Sequence, residues 1–353
     1  MKKVLKWTGL SFICIVVILA AAVTTMFWSE LRSLASIKQI DDYGMFQMTY
    51  FGDYGFDDFL LVGAESDSDV EAFITKRLLR GIPFSFNITG GGCTVFVARN
   101  AAGEVIFGRN FDFGTYSPSM QVITRLDNGY ASISTVNMQY LGYVKSNLPS
   151  GLNWDSIPAL GAPYVPFDGM NEKGVAIALL AVPEVDPSFY EGRIMLGTTT
   201  AIRLVLDKAA SVDEAVELLR QYNMYFSGGI NCQFLIADAS GRSVVVNYWD
   251  GDLKITDTDE CFQVASNFIP YNGLNIGEGY DEFERYNRVR SVIEENNGIM
   301  SIAQSVDVLA EVGTRYDDEN RLQWTVVYNL SSLEGIIFAN RNTDNITDFR
   351  LIS

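Results

Sequence analysis

Asn87–Asn100 reads NITGGGCTVFVARN. Three glycines run into Cys93, which opens an apolar run with the pattern of a β-strand. A thiol at the mouth of a strand is a candidate nucleophile, but a free cysteine near pKa 8.5 needs activation. The usual partner is missing, because the chain contains no histidine. Ser-His-Asp and Cys-His pairs, HExxH zinc sites and histidine proton shuttles are all excluded. What remains nearby is Arg109 and Asp112 in GRNFDF, Gly108 to Phe113. A guanidinium favours thiolate. A base appears if the Gly92–Cys93 bond is broken, because Cys93 would then carry a free α-amine of pKa about 7.7–8.0. Asp112 would hold and orient that amine. The glycines would let the preceding peptide adopt the strained geometry in which the thiol attacks its own carbonyl. The alternative is plain: a buried apolar cysteine beside a surface salt bridge.

Local structure brings these groups together. CTVFVARN and EVIFGRNFDF are joined by AAG, so an antiparallel ladder centres near residues 101–102 and sets Cys93 opposite Asn110, within a residue or two. Neighbouring strands lie about 4.8 Å apart, which places Arg109 and Asp112 beside the sulfur. Further strands are expected in QVITRL, YASISTVN, KGVAIALLAV, CQFLIADASGRSVVVNYWDGDLKI, LQWTVVYNL and GIIFANR, with helices in TTAIRLVLDKAA, VDEAVELLRQY, YDEFERYNRVRSVIEENNG and SIAQSVDVLAEVG. Ser211/Glu214 and Ser301/Gln304 read as capping boxes. Ser68 or Asp67 is expected to cap an earlier helix over DVEAFITKRLLR. Strand pairs alternating with helix pairs predict an α+β fold of two antiparallel sheets layered with helices.

Composition narrows the function further. The chain has 353 residues, 43 acidic against 26 basic, and a net charge of −17, which leaves no electrostatic footprint for nucleic acid. Cys14, Cys93, Cys232 and Cys261 have no CxxC spacing, and the acidic stretches TDTDE and YDDENR lack calcium-loop spacing, so no metal or other cofactor is expected. A disulfide between Cys232 and Cys261 remains an option. Lys2, Lys3 and Lys6 precede an uncharged run of 21 residues, Thr8–Trp28. That length spans a bilayer as a helix, with the N-terminus inside and the bulk of the chain outside the cytoplasm. The alternative is a signal peptide cut near Ala20–Ala22, giving a secreted protein. Three divisions are expected: an anchor (1–28), an aromatic-rich and then helical segment (29–92), and a catalytic unit (93–353) on which that segment packs.

With Cys93 and GRNFDF in place, DGMNEKGVAIA, CQFLIADASGRSVVV, ASNFIPYN, FERYNRV and TVVYNL succeed one another in an order that resembles the N-terminal-nucleophile linear amide C–N hydrolases. These include choloylglycine hydrolases, penicillin V acylases and acid ceramidase. The resemblance covers Cys93 to the C-terminus. It implies a four-layer αββα sandwich and hydrolysis of an N-acyl amide through a Cys93 acyl-enzyme. It also implies that Asn171 and Asn267 donate to the oxyanion, and that Arg285, or Arg288 in its place, is the distal arginine. On their own, both asparagines read as turn residues. The 92 residues before Cys93 resemble the acid ceramidase layout, in which self-cleavage leaves two associated fragments. The family often has an acidic residue where this chain has Asn247. The same acyl-enzyme would serve an acyltransferase, and a non-catalytic binding protein could keep the fold without ever being cut.

Overall fold

The computed structural model describes residues 17, 24–82, 91–114, 116–187, 189–271, 274–276, 280–313 and 322–351. Two sheets stack face to face. The larger has nine strands in the spatial order Lys38–Gln39, Met45–Tyr50, Ser119–Thr124, Ser132–Asn137, Asp168–Asn171, Ala176–Ala181, Cys232–Ala237, Ser243–Trp249 and Asp252–Thr256. The smaller has six: Gln263–Ala265, Gly91–Arg99, Val105–Phe113, Leu322–Asn329, Glu334–Ala339 and Thr347–Arg350.

Period-two patterning divides each strand of the smaller sheet between two cores. Val95, Val97, Phe107 and Val326 face the larger sheet. Phe96, Ala98, Ile106 and Val327 instead pack against Val289 and Ile293 of helix Tyr280–Glu295 and Leu309 of helix Ile302–Val312. On the far side of the larger sheet, helix Thr198–Lys208 packs on Asp168–Asn171 and Ala176–Ala181, with Val212–Leu219 beside it. The result is the expected αββα order of layers, an α+β fold.

Several expectations need correction. Within the two large sheets the named strands pair antiparallel except where Met45–Tyr50 runs parallel to Ser119–Thr124, in register from Met45/Ser119 to Tyr50/Thr124; a separate two-stranded piece, Met195–Gly197 with Asn223–Tyr225, is also parallel. This strand lies in MFQMTY of the aromatic-rich segment and was not expected; its alternation is blurred because four of its six side chains are buried. Helix Asp67–Arg77 is capped by Ser66, whose Oγ accepts from the Asp69 amide at 3.4 Å, rather than by Asp67 or Ser68. Cys232 is buried and Cys261 exposed, and both are free thiols. The run Thr8–Trp28 falls mainly outside the described residues, among which no helix is long and apolar enough to cross a membrane.

The segment before Cys93 is embedded in the rest. Tyr54 donates to both oxygens of Asp207 at 2.8 Å and stacks edge-on with Tyr50 and Tyr164. Tyr164 in turn donates to the Tyr54 carbonyl at 2.8 Å. Asp207 is also paired with Arg203 at 2.7 Å, with both side chains buried. Phe56, Phe59 and Phe73 complete an aromatic cluster around Tyr164.

Candidate active site

Cys93 lies opposite Phe111, one residue from the expected register, so Val95 faces Arg109 and Gly92 faces Asp112. Because facing residues share a side of the sheet, the site is split between the two faces of one strand. The thiol and Arg109 point between the sheets. Asp112 sits on the helix-facing side, beside the Cys93 backbone rather than the sulfur. A Cβ on Gly92 would lie 3.4 Å from Asp112 Cβ and 3.6 Å from Arg285 Nη2, ordinary contact distances. Gly92 is part of the regular ladder, so the strained peptide expected there is not what the intact chain holds.

On the thiol side, Arg109 Nη2 reaches Cys93 Sγ at 3.5 Å and donates to the Leu179 carbonyl at 3.3 Å. Its other nitrogen, Nη1, pairs with Asp168, and both side chains are fully buried. Removing two such charges from water is costly unless every lone pair finds a donor. Asp168 meets that requirement, since it also accepts from Trp324 Nε1 at 2.9 Å and Tyr328 Oη at 2.8 Å. Burial pushes the Cys93 thiol above its ordinary value; Arg109 opposes that shift and Asp112 adds to it. The sulfur opens on a cavity of about 20 Å³ lined among others by Phe111, Phe167, Leu179, Ser227 and Cys232. Cys232 donates to the Ile230 carbonyl at 3.2 Å.

On the helix side, the Cys93 amide donates to Asn267 Oδ1 at 2.7 Å. Arg285 is the hub. Its Nη1 contacts the Cys93 carbonyl at 3.1 Å, Thr94 Oγ1 at 3.1 Å and Asp112 Oδ2 at 3.2 Å, while Nη2 donates to Asn267 Oδ1 at 3.1 Å. Arg285 is buried, whereas Arg288 pairs with exposed Glu311 at 2.8 Å; the structure therefore separates the two candidate arginines. Ser266 Oγ also donates to the Cys93 carbonyl at 3.0 Å.

The two asparagines part company. Asn267 is at the site, but it presents its oxygen to Cys93 and spends one amide N–H on the Ala181 carbonyl at 2.8 Å. Asn171 is not brought to Cys93. Its Nδ2 caps the end of helix Thr198–Lys208, donating to Leu206 and Ala209 carbonyls at 3.1 and 2.7 Å, and its Oδ1 accepts from the Lys173 and Val175 amides. This is the turn role its position before Gly174 suggested. With both donors and the acceptor engaged, Asn171 has nothing left for an oxyanion.

Sequence reasoning missed the supports. Gln233 donates to the carbonyls of Ser266 and Phe268 at 3.0 and 2.8 Å, fixing the residues on either side of Asn267. Asp168, Trp324 and Tyr328 hold Arg109 in place. The available signals were a glutamine inside the apolar run CQFLIA and an aspartate opening a buried strand. Among the described residues, no group of three or more Cys, Asp or Glu is placed to hold a metal ion.

In structure the chain is similar to a mutant of the conjugated bile acid hydrolase from Clostridium perfringens, at TM-score 0.53 and 18% identity, over 73% of this chain and 92% of that one. It is likewise similar to penicillin V acylase from Agrobacterium tumefaciens, at TM-score 0.51 and 19% identity, over 70% and 83%. These likenesses establish the fold. No curated protein matches in sequence. A model of the linear amide C–N hydrolases, choloylglycine hydrolase family, matches residues 93–309. The match starts at Cys93 and covers well over half of the chain: the protein belongs to the choloylglycine hydrolase family of linear amide C–N hydrolases.

Proposed function

We propose that this chain is a self-processing cysteine amidase acting on an N-acyl amide. The observation that carries the reading is the hydrogen bond from the Cys93 amide to Asn267 Oδ1, with Arg285 bridging the Cys93 carbonyl and Asp112 beside it. That arrangement gives the Cys93 nitrogen an acceptor suited to an amine, with a carboxylate on the same face of the strand. In the first stage the thiol adds to the Gly92 carbonyl and the C–N bond breaks. The products are a thioester to Gly92 and a free Cys93 amine. Water then hydrolyses the thioester to the Gly92 carboxylate and regenerates the thiol.

In turnover, the α-amine takes the thiol proton as sulfur attacks the substrate carbonyl, then passes it to the departing amine. Water, deprotonated by the same amine, hydrolyses the acyl-enzyme. Arg109 supports thiolate, Asn267 and Asp112 orient the amine, and Arg285 holds both of them. The amide N–H of Asn267 not spent on Ala181 serves the oxyanion. Asn171 has no role in this scheme. An acyltransferase would differ only in the acceptor that resolves the acyl-enzyme.

The two fragments remain together as a heterodimer, held by the aromatic cluster and the strand that the first contributes to the larger sheet. The run Thr8–Trp28 anchors the protein in the cell membrane with its catalytic unit outside the cytoplasm. Intact-mass analysis and N-terminal sequencing of the full chain, beside Cys93→Ala, test the central step. A fragment starting at Cys93 in the wild type and absent from the mutant is expected, together with release of amine from a panel of N-acyl amides. An uncut wild-type chain that still hydrolyses them would overturn the amine-base mechanism.

A further inference from the structure

Helix Trp28–Ala35, the end of helix Asp67–Arg77 and the 3-10 stretch Trp154–Tyr164 enclose an apolar groove of about 530 Å³. Leu31, Leu34, Leu78, Leu79, Ile157 and Leu160 form its walls. Its rim is unusual for a surface. Trp154 is 81% exposed and Leu152 63%, and Ile82 is exposed as well; Trp28, 57% exposed, opens the helix that forms one wall. Scattered apolar side chains at a surface need no explanation, but contiguous ones around an apolar groove do.

We propose that this face docks on the phospholipid bilayer, with acyl chains entering the groove and Trp154 and Trp28 at headgroup depth. The inference rests on the anchor reading of Thr8–Trp28 and is independent of the chemistry at Cys93. Continuity argues for a bilayer over a second copy of the chain. Phe27, within the uncharged run, also lines the groove, and Trp28 opens the helix that forms one wall. A bilayer that accepts the run therefore meets the groove at its foot. Tryptophan at the water boundary is what such a position favours. Arg80 lies 4.4 Å from the Phe27 ring centroid and pairs at 3.9 Å with Glu30, the acidic side chain in the groove lining, so that carboxylate is balanced where the groove would meet lipid. A chain of net charge −17 would otherwise be repelled by anionic lipid, so the attraction here is apolar, and zwitterionic lipid is the appropriate probe.

The test is tryptophan quenching of the full chain in phosphatidylcholine vesicles, plain or brominated near the headgroup end of the acyl chains. Wild type, Trp28→Phe and Trp154→Phe are compared. Trp154→Phe is expected to remove a clear share of the quenched emission, since Trp154 and Trp28 are the exposed tryptophans among the described residues. Its exposure makes a folding defect from this change a poor alternative. Unchanged quenching in Trp154→Phe with a loss in Trp28→Phe would keep the anchor and overturn the groove proposal. So would a dimer that shields Trp154 from the brominated lipid. No quenching in the wild type would overturn anchor and groove together. The mass of each sample reports processing at Cys93 separately.

Discussion

At Cys93 the decisive quantity is how much thiolate a buried sulfur can hold. Burial raises the thiol, and Arg109, with a smaller contribution from Arg285, opposes it, so the intact chain holds less thiolate than a free cysteine would. If thiolate performs the cut, the rate of processing should climb about tenfold per pH unit below the thiol pKa. Stopped-time mass spectrometry of freshly refolded full chain between neutral and alkaline pH would show it, and a flat profile would argue that thiolate is not the attacking form. Arg109→Leu should slow the step further while leaving Asp168 buried without its cation. That loss costs about 3–5 kcal/mol, softened by the remaining Trp324 and Tyr328 donors, and thermal melts should reveal it. Asn267→Ala removes the acceptor shared by the Cys93 amide and Arg285, and kcat of processed enzyme should drop roughly 10²–10³-fold. Cys93, Arg109, Asp112 and Asn267 were legible in the sequence because a hairpin and an ordered set of motifs fix them. The split between the strand's two faces is a consequence of the register but needed the true pairing to be seen. Asn171 misled because its motif is shared by a turn, and a turn uses the same amide groups that an oxyanion would.

At the level of elements, the sequence announced what is local. The 101–102 hairpin centre came within one residue, and the Ser301/Gln304 box forms in both directions, at 3.2 Å from the Gln304 amide and 2.9 Å from the Ser301 amide. The strand Met45–Tyr50 escaped notice because its local partner Lys38–Gln39 is only two residues long, and its full-length pairing is with a strand over seventy residues away and in parallel, a contact with no local signature. One element has a functional reach that distance in sequence also hides. Asp67, in the first turn of its helix, accepts from the Gly228 amide at 2.6 Å and from Tyr225 Oη at 3.2 Å. Between those residues Ser227 lines the cavity at Cys93. Asp67→Ala should therefore loosen the cavity wall from the segment before Cys93, and KM should rise several-fold with little change in kcat. A fall in kcat alone would place Asp67 outside substrate binding.

For the molecule as a whole, residues 29–82 are a structural part of the enzyme. They supply the strand that covers Ser119–Thr124, which would otherwise be an open sheet edge, and the hydroxyl of Tyr54 that satisfies buried Asp207. Tyr54→Phe should cost about 1–3 kcal/mol, read as a lower denaturant midpoint. A chain made from Cys93 onward without the preceding segment should be insoluble, and co-expression of 1–92 should recover it. Soluble, active 93–353 alone would mean that the larger sheet tolerates the bare edge.

The parallel strand has one more consequence, and it concerns time. It is threaded into the sheet while the polypeptide is still continuous, when its partner is tethered and effectively concentrated. The proposed cut at Gly92–Cys93 would remove that tether. A processed molecule that opens would have to find its lost half by diffusion, so reassembly competes with aggregation and becomes dilution-sensitive. Such an enzyme has a lifetime set by its opening rate rather than by an equilibrium between folded and unfolded chains.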